Sequence, residues 1–133
     1  MFEIKRINDE NPTYCSLVPQ TQHEKAILYN ATQNPSHKLS EYINQRITFT
    51  NVYMEQTEIL DEDSGEIRKA VKTILFTPDG EGITATSNGV ARSIYGIFSI
   101  FGTPDTWEDG ISVIVRQTET AKGRTFKLEV IPE

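Results

Sequence analysis

Residues 47–59 have the sequence Ile-Thr-Phe-Thr-Asn-Val-Tyr-Met-Glu-Gln-Thr-Glu-Ile, and this stretch decides the fold. β-Branched and aromatic residues dominate it, which is typical of one long strand. Its apolar residues first occupy odd positions and then even ones: Ile47, Phe49, Val52 and Met54. Because side chains alternate between the two faces of a strand, this change of phase predicts a β-bulge near Asn51 in a strongly bent strand.

The next segments predict two further strands. Residues 61–66, Asp-Glu-Asp-Ser-Gly-Glu, form a turn sequence, and the β-branched residues of 67–77 predict a strand that pairs with the first in a hairpin. A second cluster of turn residues, at 78–82, separates this strand from a shorter one at residues 83–87.

A helix is predicted after the third strand. Apolar residues here recur at i, i+4, i+7, i+8 and i+11: Val90, Ile94, Ile97, Phe98 and Phe101. This spacing places them on one face of a helix, so we expect all five in the core. Ser87 or Asn88 is suited to cap its start, and Gly102 and Pro104 are suited to end it.

Alternating apolar residues at 111–116 and 126–130 predict two final strands, joined at residues 121–123. The order strand, strand, strand, helix, strand, strand is that of the OB-fold, a five-stranded barrel with one helix between strands 3 and 4. We therefore predict a mainly β protein with an OB-fold domain over residues 38–133 and an irregular N-terminal arm over residues 1–37. Short apolar runs in this arm leave small strands or a helical turn open.

Composition limits the functions that the chain can have. It has 133 residues and a net charge of −6, which fits one globular domain, and it has no apolar stretch long enough to cross a membrane. Cys15, His23 and His37 are too few to predict a metal site, and no phosphate-binding loop or catalytic motif is present. We expect a cytoplasmic, non-enzymatic protein without a cofactor. An enzyme that holds a divalent ion at the acidic turn 61–66 is the weakest alternative.

Basic residues on the predicted strands and the last turn suggest a nucleic-acid surface. Together with Tyr53 and, more weakly, Trp107 as stacking platforms for bases, they are the predicted binding residues. The basic members of this set are Arg46, Arg68, Lys69, Lys72, Arg116, Lys122, Arg124 and Lys127.

Each of these residues also has a structural explanation. Lys and Arg protect exposed strands against edge pairing, Tyr is common in strands, and Trp107 could plug one end of a barrel. The rival function is therefore an OB-like protein-interaction domain without a nucleic-acid role, which the net negative charge favours.

Several segments carry a family resemblance. They are residues 47–55, the Asp-Ser-Gly-Glu turn at 63–66, the helix Ser-Ile-Tyr-Gly-Ile-Phe-Ser-Ile-Phe-Gly at 93–102, Pro104, Trp107 and the hairpin from Ile111. Over about residues 38–131 the chain resembles the small single-stranded DNA-binding proteins of phages and conjugative plasmids of Gram-positive bacteria.

This resemblance implies an OB-fold protein that coats and protects single-stranded DNA, with RNA as the alternative, during phage or plasmid replication or transfer. It implies no cofactor. The acidic turn 61–66 departs from what a DNA-flanking loop needs, because it would repel phosphate. The sequence after Val130 also lacks the acidic tail of bacterial housekeeping proteins, so recruitment of replication enzymes through such a tail is not expected. We further expect a homo-oligomer in which residues 1–37 pack on a neighbouring subunit.

Overall fold

The computed structural model describes residues 7–61, 63–120 and 123–132, and only the backbone of residues 120, 123 and 124. Two α-helices are α1 (Gln22–Gln33) and α2 (Asn88–Phe101), with short 3-10 helices at Leu39–Tyr42 and Pro104–Thr106. The strands in the described part are β1 (Thr13–Cys15), β2 (His37–Lys38), β3 (Arg46–Phe49), β4 (Asn51–Leu60), β5 (Ile67–Phe76), β6 (Gly82–Thr86), β7 (Ile111–Thr120) and β8 (Gly123–Val130).

The strands form two sheets that share the bend at Thr50. One has the order β1-β4-β5-β6-β2 and the other the order β3-β7-β8. β3 pairs with β7 up to Phe49, and β4 pairs with β5 from Asn51 onwards. The change of phase in the sequence therefore marks the point where the chain passes from one sheet to the other. The prediction of one long strand with a β-bulge is therefore wrong, because the chain ends one strand at Phe49 and begins another at Asn51.

The predicted five-stranded barrel is not closed, because the strands form two separate sheets. In the described part of the chain no ladder joins β6 to β8, and the reason is that both edges are already occupied. β6 pairs with β2 in parallel, while the backbone N–H of Leu128 in β8 donates to Ser93 Oγ of α2 at 3.1 Å. The two sheets are linked across this gap by Ser87 Oγ and Thr125 Oγ1, which lie 3.2 Å apart.

α2 closes the core between the two sheets. Ser87 caps it by accepting from Val90 N–H, and Gly102 ends it with a φ of 81°. Its inward residues are fully or nearly fully buried, as predicted, except Phe101, which is exposed. Phe101 is the last residue of the helix. Gly89 lies so close to β8 that a Cβ there would be 2.4 Å from the carbonyl oxygen of Phe126.

The N-terminal segment is more regular than predicted. β1 pairs with β4, and α1 begins at an N-cap in which Thr21 Oγ1 accepts from Glu24 N–H at 3.1 Å. α1 lies on the outer face of the five-stranded sheet, because Lys72 Nζ donates to Thr32 O at 2.5 Å. A Cβ placed on Gly82 would also lie 3.9 Å from Ala31 Cβ. The prediction of an irregular arm is therefore wrong for the residues of β1 and α1. Within the described residues, none of the helices has the length and apolar composition that a membrane-spanning helix needs.

Candidate nucleic-acid interface

The structure divides the predicted binding residues among different surfaces. Three basic residues share the outer face of the three-stranded sheet: Arg46, Arg116 and Lys127. Arg116 is already bound to a carboxylate, because its Nε donates to Glu129 Oε2 at 2.9 Å. This hydrogen bond holds the pKa of the Glu129 carboxyl below its usual value. Arg116 Nη1 also donates to Asn44 Oδ1 at 3.0 Å, and Arg46 Nη2 donates to Ser112 Oγ at 3.3 Å.

Tyr53 and Lys72 lie on the outer face of the five-stranded sheet, the face that α1 partly covers. The predicted phase of Tyr53, opposite to Val52 and Met54, is confirmed. Burial, followed by the 3.0 Å hydrogen bond that Tyr53 Oη donates to Glu55 Oε2, raises the pKa of Tyr53 to about 12. Lys72 Nζ lies 3.8 Å from Glu55 Oε1. Neither group is therefore presented openly to a ligand.

Lys69 has the opposite parity from Lys72. It lies near the beginning of β5, where it forms an exposed ion pair with Asp9, with 2.5 Å between Nζ and Oδ2. The hydrogen bonds from Lys69 and Gln56 lower the pKa of the Asp9 carboxyl. This pair ties the N-terminal segment to the sheet and leaves no net charge at that point.

Trp107 has the contacts of a core residue. Its ring meets Phe49 and Phe98 edge to face, with centroids 5.6 Å and 6.0 Å apart, and its Nε1 donates to Gly102 O at 3.1 Å. The packing role is thus the one that its surroundings support. Lys122 and the side chain of Arg124 lie outside the described residues.

A shallow groove lies along the gap between β6 and β8, and we call it the seam. Its first hollow has a volume of about 380 Å³. The residues that line it are Ile59, Arg68, Ala70, Thr86, Ser87, Asn88, Gly89, Arg92, Thr125 and Phe126. No aspartate or glutamate lines this hollow among the described residues, although the whole chain carries a net charge of −6.

Arg68 and Arg92 carry the positive charge of the seam. Both are exposed, and within the described part of the chain neither forms a hydrogen bond or an ion pair. Arg68 lies at the beginning of β5, whereas α1 covers the far end of that strand near Phe76. Arg92 lies one turn into α2. No described residue therefore competes with an anion for either guanidinium group.

A second hollow, of about 230 Å³, continues the seam past Phe126. It shares Thr86 and Phe126 with the first hollow and reaches Lys38 on β2, again with no carboxylate among its lining residues in the described chain. Phe126 is half-buried, so it is the aromatic residue common to both hollows. The seam thus combines basic residues at both ends with an aromatic residue between them.

Sequence reasoning missed Arg92, because it counted basic residues on strands. One signal was available. Arg92 is the only charged residue within the helix 88–101, and an isolated charge in an otherwise apolar helix must face solvent or a ligand. Its proximity to Arg68 depends on how α2 packs across the gap, which periodicity does not specify.

The acidic residues around Asp61 form the turn between β4 and β5. Asp61 Oδ1 accepts from Asp63 N–H at 3.0 Å and from Ser64 N–H at 3.4 Å, and Gly65 has a φ of 74°. Among the described residues no group of three acidic, histidine or cysteine side chains is arranged to hold a metal ion. Cys15 is half-buried, and burial raises the pKa of its thiol.

A family model described as phage single-stranded DNA-binding protein matches residues 9–130. This range includes most of the N-terminal segment, which the sequence resemblance had left out. Neither the curated proteins nor the solved structures give a match. Because the family model covers nearly the whole chain, including both sheets and both helices, the chain belongs to the phage single-stranded DNA-binding protein family.

Proposed function

We propose that the chain binds single-stranded DNA along the seam and coats it during phage DNA replication, in the cytoplasm and without enzymatic activity. The observation that carries this proposal is the pair of unpaired guanidinium groups, Arg68 and Arg92, in a hollow without described carboxylates. Family membership supplies the ligand class, single-stranded DNA, and the seam is where we place it.

The seam is preferred to the three-stranded face on electrostatic grounds. A phosphate that binds Arg116 has to compete with Glu129 for the same guanidinium. Arg68 and Arg92 are not paired with any described carboxylate, so a phosphate that binds them displaces no protein group. Each such contact therefore adds the full counterion-release term to the binding free energy. Guanidinium groups also match phosphate oxygens in two-point hydrogen bonds.

The composition of the seam fits a binder that tolerates any sequence. Contacts to phosphate carry no sequence information, and stacking on an aromatic ring accepts every base. Phe126, at the junction of the two hollows, is the residue that we assign to this stacking. A single strand can turn its bases toward such a surface, whereas the bases of a duplex are already paired and stacked.

We further propose that the two sheets form an OB-like half-open barrel. β3 and β4 together take the place of one bent first strand, β5 and β6 follow it, and α2 precedes the last two strands. OB-folds are often only partly closed, and they bind oligonucleotides on the face of their second and third strands. β5 and β6 supply Arg68 and Thr86 to the seam.

Fluorescence anisotropy of a labelled oligothymidine tests this function. The expected result is saturable binding that weakens with salt, resists a duplex competitor and is reduced by the double substitution Arg68→Gln with Arg92→Gln. Absence of binding at low salt would reject the function and favour the protein-interaction domain. Normal binding by the double variant would reject the seam but not the function. Matched RNA and DNA oligonucleotides measure the sugar preference in the same assay.

A further inference from the structure

We propose that the tip of the β4–β5 hairpin binds a second copy of this chain, on the outer face of that copy's three-stranded sheet. The contact itself does not depend on the proposed DNA function. Only its consequence, cooperative coating of a strand by copies in a row, rests on that function.

The hairpin tip presents an unusual pair of apolar side chains. Leu60 and Ile67 are cross-strand partners, and they are 60% and 66% exposed. Leu60 and Ile67 lie at the far end of a hairpin whose two strands have ten residues each, and they are not part of the core of their own chain. Exposed apolar surface of this kind, next to polar residues, marks an interaction site.

The rim of the tip is acidic. Asp61, Asp63 and Glu66 are exposed, and in the described chain none of them forms an ion pair with a lysine or arginine. Hydrogen bonds from Asp63 and Ser64 to Asp61 fix the shape of the turn. The tip therefore presents an apolar pair beside three negative charges, and its partner needs the opposite pattern.

The outer face of the three-stranded sheet has that pattern. Ile114 is half-buried at its centre, paired with Arg46 on one side and Glu129 on the other. Arg116 and Lys127 face each other on neighbouring strands beside it. Among the described residues beside Ile114, the two positive charges of Arg116 and Lys127 outnumber the one negative charge of Glu129, and this positive surface around an apolar centre complements the acidic tip.

One molecule cannot bring these two surfaces together. β4 runs for ten residues from the bend at Thr50 to Leu60, which places the tip about 30 Å from the junction with the three-stranded sheet. Complementary surfaces at separate places on one chain form a heterologous contact, and such contacts build rings when the rotation between copies closes and open rows when it does not. A row is the form of assembly that matches a linear strand of DNA.

A charge exchange tests the contact. Glu66→Lys or Lys127→Glu alone turns an attraction into a repulsion, whereas the double variant restores opposite charges between neighbouring copies. Neither residue lies in the seam. Glu108→Lys, in an exposed loop, is the matched control for charge. Ile67→Ser tests the apolar part of the same contact.

Two measurements distinguish the contact from DNA binding. Sedimentation velocity at low salt follows self-association without DNA, and titration of long against short oligothymidine gives the cooperativity. We expect each single reversal, and Ile67→Ser, to weaken association roughly tenfold. For Glu66→Lys and Ile67→Ser, the affinity for a short oligothymidine that holds one copy should stay within about twofold. The double variant and Glu108→Lys should behave as the wild type.

The proposal is overturned if the wild type neither self-associates nor binds long strands cooperatively. It is also overturned if the double variant stays as weak as the single variants. Failure of the DNA function has a different signature, since the oligothymidine titrations would then show no binding while the sedimentation experiment would still report the contact.

Discussion

Substituting both Arg68 and Arg92 by glutamine should weaken single-strand binding by an amount that follows from the structure. Each free guanidinium is assigned one phosphate, and each phosphate contact to a single strand contributes about 0.7 to the slope of log K against log salt. Loss of two contacts should therefore lower the slope by about 1.4. At roughly 0.1 M salt this corresponds to about fivefold per contact and 25-fold for both, or about 2 kcal/mol.

The assay is an anisotropy titration with a short oligothymidine at several salt concentrations, so that neighbouring copies do not contribute. The matched control is the double substitution Lys69→Gln with Arg116→Gln, which removes the same net charge from residues that are already paired with Asp9 and Glu129. It should change affinity by less than about threefold, because ion-paired charges release few counterions. Equal losses in both double variants would refute the reasoning, since the whole-molecule field and not the seam would then set the affinity.

Three further predictions concern packing and titration. Gly89→Ala should lower the free energy of unfolding by about 1–3 kcal/mol, because the new Cβ would lie 2.4 Å from the carbonyl oxygen of Phe126. Gly96→Ala in the same helix, where a Cβ meets nothing within 4 Å, should stabilise by up to about 1 kcal/mol in the same thermal unfolding assay; equal effects would contradict the packing of α2. The Tyr53 phenol, measured as the absorbance change at 295 nm that is lost in Tyr53→Phe, should titrate near pH 12 rather than near the ordinary value of about 10. The stability that neutral Tyr53 contributes should be lost as the pH rises from about 10 to about 12. A midpoint near pH 10 would show that the phenol is open to solvent. Trp107, the single tryptophan, should keep its fluorescence when oligothymidine binds, and strong quenching would place it at the DNA after all.

The strand and helix pattern of residues 46–130 was predictable because each segment has a clear period. The shift between Phe49 and Val52 identified the bend, since residues buried on opposite parities cannot belong to one straight strand. Ser87 and Gly102 marked the ends of α2 through ordinary capping chemistry. Local sequence was sufficient wherever local backbone chemistry decided the outcome.

The N-terminal helix was missed although part of its signal was present. Thr21 followed three residues later by Glu24 has the sequence of a capping box, and in the structure Glu24 Oε2 accepts from the N–H of Gln20, the residue before the N-cap, at 2.7 Å. The residues after it give a weak pattern, with Ile27 and Tyr29 exposed in the folded protein. Contacts with the sheet, such as that between Lys72 and Thr32, stabilise α1 more than burial of an apolar face does. The sequence of such a helix therefore shows only a weak apolar periodicity.

The open barrel and the seam depend on which groups pair with the edge strands β6 and β8. The sequence alone does not show this pairing. β2, only two residues long, pairs with β6, and Ser93 of α2 satisfies the backbone of β8. These small contacts keep the two sheets apart on one side. The seam exists because of that separation, and Arg68 and Arg92 become neighbours across it only in the folded chain.

An acidic protein can bind DNA when its charges are segregated. Most of the predicted basic residues that the structure describes are bound to protein groups, as Lys69 is to Asp9 and Arg116 to Glu129, so they add little to the external field. Arg68 and Arg92 remain unpaired in the described chain. Charges interact over about 8–10 Å at physiological salt, so a phosphate in the seam responds to these two guanidinium groups far more than to the net charge of −6. The acidic hairpin tip then need not oppose binding, and its exposed charges are available for a neighbouring copy.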